Sequence, residues 1–323
     1  MENEEYKDLQ RLAIVVPCYN EKEVFAETEL RLRLLIQEMA SNAEISSDSF
    51  VLYVDDGSSD TTWRLICEAV ADHPGMDRGV KLAHNSGHQN ALLAGLETVT
   101  GHCDAAVTID ADLQDDIAAI PKMVKEYRRG AEIVYGVRES RETDTWFKRS
   151  SAQGFYKTMA YLGVETVFNH ADFRLMSARA VKELLRYKED NIFLRGVVPR
   201  IGLNQAIVKY DRKARMAGES KYPLRKMINF AIEGITSFSI KPVRMVFNIG
   251  VVFLIIAFFI FIYALCRYFA HEVIEGWTSL ILSIWFCSGV LLIALGIIGE
   301  YVGKIFLEVK NRPRYIIEKS KGF

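Results

Sequence analysis

Three oxygen-bearing side chains, Asp110, Asp112 and Gln114, stand at alternate positions directly after the apolar run 105–109. Such a run is typical of a buried strand, and side chains alternate along an extended chain, so residues two apart can face the same way. Hard cations such as Mg²⁺ and Mn²⁺ bind carboxylate and carbonyl oxygens, usually together with the phosphates of a substrate. The spacing therefore favours a site for a metal-bound diphosphate at the end of this strand, although acidic pairs also serve as helix caps or lie in solvated loops.

The elements that must position these side chains form a regular alternation. Strands are predicted at 12–16, 50–54, 80–83, 105–109 and 132–135, and helices at 22–40, 61–71, 89–98 and 117–129. Such an alternation predicts an α/β domain with a mostly parallel sheet covered on both faces. Ligands of such sheets bind outside the carboxyl ends of the strands. The polar clusters that directly follow strands meet this requirement, and they lie at 17–21, 55–60, 85–89 and 110–115.

The last quarter of the chain changes character. The apolar runs 245–268 and 277–302 are each long enough to cross about 30 Å of hydrocarbon as a helix, the alternative being a pair of buried core helices. Before them, 224–240 carries apolar residues on one helical stripe, which predicts an amphipathic helix. Beside a membrane span that helix would lie in the interface, whereas in a soluble protein it would pack on the core.

Charge predicts the topology of these segments. Lysines and arginines precede the first run and follow the second, whereas the connecting loop 270–276 contains Glu272 and Glu275 but neither Lys nor Arg. The positive-inside bias therefore predicts a two-pass protein of the cytoplasmic (inner) membrane, with both termini and the α/β domain in the cytoplasm.

Composition argues against several other classes. The formal net charge is −1, so no basic field points to nucleic acid as a partner. The polar, acidic segment 1–11 lacks the features of a signal peptide. The five cysteines form no C-x-x-C pair and the six histidines follow no spacing typical of zinc ligands, so reduced thiols are expected and zinc is not.

Several motifs together resemble a known family. Val-Pro-Cys-Tyr-Asn-Glu at 16–21, Asp-Asp-Gly-Ser-Ser-Asp-Thr at 55–61 and Asp-Ala-Asp-Leu-Gln at 110–114 resemble the family 2 glycosyltransferases, which have the nucleotide-sugar (GT-A) fold. Ala-Asp-Phe-Arg-Leu-Met at 171–176 and Gly-Glu-Ser-Lys-Tyr at 218–222, followed by two apolar runs, resemble the polyprenyl-phosphate glycosyltransferases. Bactoprenol-phosphate glucosyltransferases and dolichyl-phosphate mannose synthases are members of that group.

The resemblance implies roles for individual residues. Those implied to bind the nucleotide sugar are Pro17, Tyr19, Glu21, Asp55, Asp56, Asp110, Ala111, Arg215 and Lys221. Those implied to hold the acceptor phosphate are Arg138, Arg174, Arg215 and Lys221. The implied metal ligands are Asp110, Asp112 and Gln114, and the implied catalytic residues are Asp110, Asp112, Arg138 and Asp172.

Other interpretations of these residues stay open. Asp55 and Asp60 are good candidates to cap the helix that begins near Thr61, since Asp is favoured at helix N-termini. Asp172 and Arg174 could form a structural ion pair, and the arginines of 195–200 could belong to a solvated surface.

The implied organisation has four parts. They are a cytoplasmic GT-A catalytic domain at 1–222, an amphipathic interfacial helix at 223–242, a two-helix transmembrane hairpin at 243–306 and a basic cytoplasmic tail at 307–323. The implied reaction is a metal-dependent, inverting transfer of a sugar from a nucleotide sugar to a polyprenyl phosphate, with Mg²⁺ or Mn²⁺ as cofactor. UDP-glucose is the first choice of donor, and N-acetylglucosamine, galactose, mannose or a modified pentose are alternatives.

Two other classes of protein compete with this expectation. A processive polysaccharide synthase shares the fold, but its Q-x-x-R-W motif is missing because no tryptophan follows an arginine. A membrane scaffold without activity is disfavoured by the intact Asp112 and Gln114. Gly296, Gly299 and Gly303 allow close approach of helices, so a homo-oligomer is an open expectation.

Overall fold

A computed structural model describes residues 10–138, 170–189, 192, 194–210 and 276–323, together with isolated positions between 243 and 262. The chain divides into two compact units. One comprises the described residues of 1–151, 166–221 and 312–323, and the other those of 152–165 and 222–311.

The first unit is built on one mixed sheet. Its strands are β1 Leu12–Cys18, β2 Phe50–Asp55, β3 Asp77–Leu82, β4 Ala105–Thr108, β5 Ile133–Arg138, β6 His170–Ser177, β7 Gln205–Tyr210 and β8 Ile317–Lys321. They are ordered β7-β5-β6-β4-β1-β2-β3-β8. The block β4-β1-β2-β3 is parallel, as is the pair β5-β7, while β6 is antiparallel to β4 and β5 and β8 is antiparallel to β3.

One helix follows each strand of the parallel block, and two shorter helices follow β6. They are α1 Phe25–Ser41, α2 Thr62–Asp72, α3 His88–Val99, α4 Ala119–Arg128, α5 Ala178–Leu184 and the single turn α6 Leu194–Val197, which a 3-10 turn Val198–Ile201 continues. Every residue of β1, β2 and β4 is buried, as expected for parallel strands covered on both faces. The predicted α/β class with a mostly parallel sheet is therefore confirmed.

Sequence periodicity located this parallel block well. All five predicted strands and all four predicted helices of 12–135 are present with ends shifted by at most a few residues. The sequence analysis predicted no strand or helix between 136 and 223, whereas the structure places β6, α5, α6 and β7 there. The basic tail also contributes an element that the sequence did not predict, because β8 pairs with β3 at the edge of the sheet.

The second unit contains α7, Trp277–Lys310. Among the residues that the structure describes, this is the one helix long and apolar enough to cross a membrane, over Phe286–Lys310. An 18-residue stretch of it has a mean hydropathy of 2.0. The predicted span at 277–302 thus forms a helix. Only isolated, helical positions of the predicted first span are described, so the two-span hairpin is not confirmed. The predicted amphipathic helix at 224–240 lies outside the described residues.

Close contact between α3 and the sheet depends on one glycine. A Cβ atom at Gly95 would collide with the side chains of Val15 on β1 and Val54 on β2. We expect Gly95→Ala to lower the free energy of unfolding by about 1–3 kcal/mol, the usual cost of overpacking a core, although alanine favours a free helix by about 1 kcal/mol. Urea denaturation of the full chain in detergent, followed by tryptophan fluorescence, measures this.

The matched control is Gly296→Ala, since no described atom lies within 4 Å of a Cβ placed at that helical glycine. The control should leave the unfolding free energy of the sheet unchanged. A Gly95→Ala variant as stable as the parent would show that α3 can withdraw from β1 and β2 without loss.

Candidate active site

An open cleft of about 300 Å³ lies at the carboxyl ends of the parallel strands. This is the edge at which such sheets bind ligands. The cleft is lined by the end of β1, the loops after β1, β2, β3 and β4, and the first turn of α3. The lining residues are Pro17, Cys18, Tyr19, Glu21, Asp56, Asn85, Gly87, His88, Ala91, Asp110, Ala111 and Asp112. The structure therefore brings together most of the residues that the sequence analysis expected to bind the nucleotide sugar.

Asn20 fixes the loop after β1 to the loop after β2. Its backbone is left-handed (φ +56°), a conformation that asparagine tolerates better than most residues. Its side-chain oxygen accepts hydrogen bonds from the backbone N–H groups of Ser59 at 2.9 Å and Asp60 at 3.3 Å. The sequence analysis did not single out this residue, which holds the half-exposed Tyr19 and Glu21 at the cleft.

The consecutive carboxylates Asp55 and Asp56 have different positions. Asp56 lines the cleft and accepts backbone hydrogen bonds from Ser86 at 2.7 Å and Gly87 at 3.0 Å, which fixes the loop after β3. Asp55 is fully buried beneath it, and one of its oxygens accepts a 3.4 Å bond from the backbone of Ser58. Burial raises the pKa of both carboxyl groups, and the backbone donors oppose that rise. Of the two, Asp56 is the one that a ligand in the cleft would meet.

A third carboxylate, that of Asp60, caps the start of α2. The Asp60 side chain accepts a 2.9 Å hydrogen bond from the backbone N–H of Thr62, the first residue of α2. The capping interpretation is therefore confirmed for Asp60. Asp55 instead accepts from Ser58, four residues before the first residue of that helix.

The acidic motif after β4 is only partly arranged as its alternation suggested. Asp110, Ala111 and Asp112 line the cleft, but the backbone then turns, with φ +44° at Leu113 and a 3.3 Å bond from its N–H to the carbonyl of Asp110. Gln114 is consequently buried, with 5% exposure, and is not among the described residues that line the cleft. The prediction that all three side chains face one way failed because the segment is not extended.

A buried contact from another strand anchors this loop. The Tyr210 hydroxyl at the end of β7 donates a 2.6 Å hydrogen bond to Asp115, and both residues are buried. The hydroxyl of Thr28 on α1 donates a 2.6 Å bond to the carbonyl of Ala111. The loop that carries Asp110 and Asp112 is thus held from two sides.

Asp172 of β6 is the centre of a buried ionic cluster. One oxygen accepts a 2.6 Å bond from Arg174, and the other lies 3.0 Å from Arg195. Burial alone would raise the pKa of Asp172, but the Arg195 and Arg174 guanidinium groups hold that pKa well below its usual range. Asp172 is therefore a carboxylate throughout the neutral pH range.

His88, the first residue of α3, connects this cluster to the cleft. Its Nε2 atom lies 3.5 Å from Asp110 and 3.8 Å from Asp172. Desolvation raises the pKa of Asp110 to about 6, His88 opposes that rise, and neighbouring carboxylates add to it. Water reaches 44% of the Asp110 side chain, so solvent screening limits the rise.

Two arginines differ from their sequence-based assignments. Arg174, assigned to the acceptor phosphate, is 2% exposed, and its guanidinium is engaged by Asp172 and by the carbonyl of Leu194. The structural ion pair is therefore the role that the structure gives it. Arg195, considered part of a solvated surface, instead lies against Asp172 with 39% of its side chain exposed.

The remaining cationic candidates stay predictions. Arg138 is the last residue of β5, in register with Tyr210 of β7. Arg215 and Lys221 lie outside the described residues.

Comparison with known proteins identifies relatives along nearly the whole chain. A family model described as Glycosyl transferase family 2 matches residues 13–185. The chain is 51% identical to the uncharacterized glycosyltransferase YkoT of Bacillus subtilis (strain 168), over 95% of this chain and 91% of that protein. It is 37% identical to the SfII prophage-derived bactoprenol glucosyl transferase of Shigella flexneri, over 96% of this chain and 98% of that protein.

Among solved structures, glucosyl-3-phosphoglycerate synthase from Mycobacterium tuberculosis is similar over 70% of this chain and 78% of its own, with a TM-score of 0.46 and 16% identity.

The family match covers more than half of the 323 residues and includes β1, β2, β4 and their cleft loops. The chain therefore belongs to glycosyltransferase family 2, and it is a hexosyltransferase.

Proposed function

We propose that this protein transfers a sugar from a nucleotide sugar to a polyprenyl phosphate at the cytoplasmic face of a membrane. The observation that carries the proposal is the pair Asp110 and Asp112 in a cleft that His88 connects to Asp172. The full-length similarity to a protein named bactoprenol glucosyl transferase supports the lipid acceptor and makes glucose from UDP-glucose the first choice.

The donor would occupy the part of the cleft nearest β1 and β2. Tyr19 is 48% exposed there and offers an aromatic surface to a base, while Asp56 presents a carboxylate that can accept a hydrogen bond from it. Pro17 and Glu21 border the same volume. The Ser86 and Gly87 amides fix Asp56, so it would meet the base already oriented.

The diphosphate would lie toward Asp110 and Asp112. Two carboxylates that line one cleft are hard oxygen donors, so this pair fits Mg²⁺ or Mn²⁺ bound jointly with substrate phosphates. When bound, such an ion supplies charge neutralisation for the departing diphosphate. Because Gln114 is buried, we assign the ligand role to Asp110 and Asp112.

The acceptor places modest demands on acid–base chemistry. The second pKa of a phosphate monoester is about 6, so it is mostly dianionic at neutral pH and needs no strong general base. A carboxylate with a strongly lowered pKa, as Asp172 has, is itself a weak base. Asp172 is better suited to orient Arg195 and His88 beside the reacting groups.

The membrane assignment rests on α7 and on β8. Apolar side chains of α7 are exposed, including Leu291, Leu292 and Ile293, as a lipid-facing helix requires. The chain returns from α7 to the same sheet as β8. If the segment between β7 and β8 enters the bilayer, it must cross it an even number of times. This supports a second span in 245–268 and a two-pass protein with both termini in the cytoplasm.

Loss of one metal ligand should abolish transfer without unfolding the protein. Asp112→Asn removes a charged donor from the cleft, where leaving-group stabilisation by a metal is worth several kcal/mol, so we expect a rate loss of at least about a hundredfold. Transfer from UDP-glucose to undecaprenyl phosphate is measured with Mg²⁺, with Mn²⁺ and with excess chelator. Full activity in chelator would contradict the metal-dependent mechanism.

The product should be a lipid. Incubation with a radiolabelled nucleotide sugar and undecaprenyl phosphate should move label into an organic-extractable product that mild acid cleaves, because a sugar linked through phosphate is acid-labile. Parallel reactions with UDP-N-acetylglucosamine, UDP-galactose and GDP-mannose identify the sugar. Label that remains in water-soluble glycan would reject the lipid acceptor and favour a polysaccharide synthase.

The two arginines on Asp172 should behave differently when truncated. Arg174→Ala removes a fully buried side chain together with the 2.6 Å partner of Asp172, so we expect a stability loss of about 3–5 kcal/mol. Arg195→Ala removes a side chain that is 39% exposed, so the fold should survive while the transfer rate falls about tenfold or more. Thermal unfolding and single-turnover transfer separate the two effects.

Arg200→Ala, on the neighbouring 3-10 turn, is the matched control for Arg195. It should change neither the melting temperature nor the rate appreciably. An Arg195→Ala enzyme with normal transfer kinetics would place the functional cation elsewhere, with Arg138, Arg215 and Lys221 as the next residues to test.

A further inference from the structure

Glu29, His73 and Asp77 converge at the end of the sheet opposite the cleft. Asp77 is the first residue of β3, whose carboxyl end faces the cleft loops, whereas Glu29 lies on α1 and His73 directly follows α2. The nearest ligand atoms of the three side chains all lie within 4.8 Å of one another, and His73 Nε2 is 3.7 Å from Glu29 Oε1. Neither the donor nor the acceptor of the proposed reaction would reach this cluster.

Asp77 is an independent sign that something is bound there. Its side chain is fully buried, and neither carboxylate oxygen meets the geometry of a hydrogen bond with any residue that the structure describes. The buried hydroxyl of Tyr53 lies beside Asp77 and likewise forms no hydrogen bond of good geometry within the described part of the chain. Buried carboxylates are almost always paired, because an uncompensated charge in the interior is costly.

The backbone orients the three side chains. The N–H of Asp77 donates a 3.1 Å bond to the carbonyl of His73, which closes the turn that carries both residues. The N–H of His73 donates to Ala69 at 2.9 Å, so the same turn is tied to the end of α2. Arg33 donates to one oxygen of Glu29 at 2.7 Å and holds that side chain against the cluster.

The net charge of the cluster and the spacing of its ligands are compatible with a bound divalent cation. Glu29 and Asp77 together carry two negative charges when ionised, and Arg33 supplies one positive charge. A carboxylate accepts more than one partner, so the contact with Arg33 does not prevent Glu29 from binding a metal ion. Two ligands at about 2.1 Å from a tetrahedral ion lie about 3.4 Å apart, close to the 3.7 Å that separates His73 from Glu29.

We propose that Glu29, His73 and Asp77 bind a divalent transition-metal ion, with Zn²⁺ the best match to one imidazole nitrogen and two carboxylate oxygens. The ion links α1 to the start of β3 and neutralises the buried Asp77. It is distinct from the metal of the transfer reaction. Histidine spacing along the sequence gave no sign of it, because each ligand comes from a different element.

The test must separate this site from the one in the cleft, so it is made in the full-length Asp112→Asn protein. After removal of metal with chelator and dialysis against Zn²⁺, we expect one tightly held zinc per chain by elemental mass spectrometry. His73→Ala in that background should lose it, and the protein should still fold because the His73 side chain is 36% exposed. His102→Ala, at another exposed histidine, should retain it.

Two further measurements make the result decisive. Zn²⁺ should raise the melting temperature of Asp112→Asn by about 5–10 °C at about one hundred times its dissociation constant, and should not do so in Asp112→Asn/His73→Ala. The Asp112→Asn protein loaded with Co²⁺ in place of Zn²⁺ should absorb visible light, and this absorption should be lost in Asp112→Asn/His73→Ala. An Asp112→Asn protein that holds no stoichiometric zinc, or equal zinc content with and without His73, would overturn the proposal.

Discussion

The structure depends on holding several carboxylates at the end of a buried parallel sheet. Desolvation raises the free energy of each of them, and each is compensated by a different device. Asp56 receives two backbone amides, Asp172 receives two guanidinium groups, and Asp115 receives a tyrosine hydroxyl. Asp110 and Asp112 instead face the open cleft. Asp110 lies 3.5 Å from His88, and Asp112 accepts a 3.3 Å bond from the backbone of Gln114. Both line the open cleft together with Asp56, where a ligand can reach them.

The same contacts tie the cleft loops to one another. The loop after β1 is held to the loop after β2 through Asn20, and the loop after β2 is held to the loop after β3 through Asp56. The loop after β4 is held by β7 through Tyr210. Function and local stability therefore share the same side chains, so a carboxylate variant at Asp56 would affect both the loop after β3 and any ligand in the cleft.

The sequence predicted the parallel block because its strands are short apolar runs between clear helical patterns. It did not predict β6, because that strand carries Asp172 and Arg174 and so lacks an apolar pattern, although the two charges neutralise each other. The assumption that residues 110–114 are extended placed Gln114 at the cleft with Asp110 and Asp112. That assumption was wrong because Leu113 has a positive φ, which its residue type does not predict. Arg195 was missed because its partner lies on a different element. Local patterns thus located the elements, whereas pairings between elements needed the fold.

The tail strand shows how such a pairing constrains the remainder of the chain. β8 is short and rich in lysine, features that on an edge strand discourage pairing with other chains, and Lys81 of β3 pairs with Glu318 of β8 at 3.2 Å. Because β8 is antiparallel to β3, Ile317 lies opposite Leu82, near the carboxyl end of β3. The chain therefore re-enters the sheet at the edge that also carries the cleft. The segment between β7 and β8 has both of its ends fixed to one sheet. If part of that segment enters a bilayer, the chain must therefore return to the face of the bilayer from which it entered.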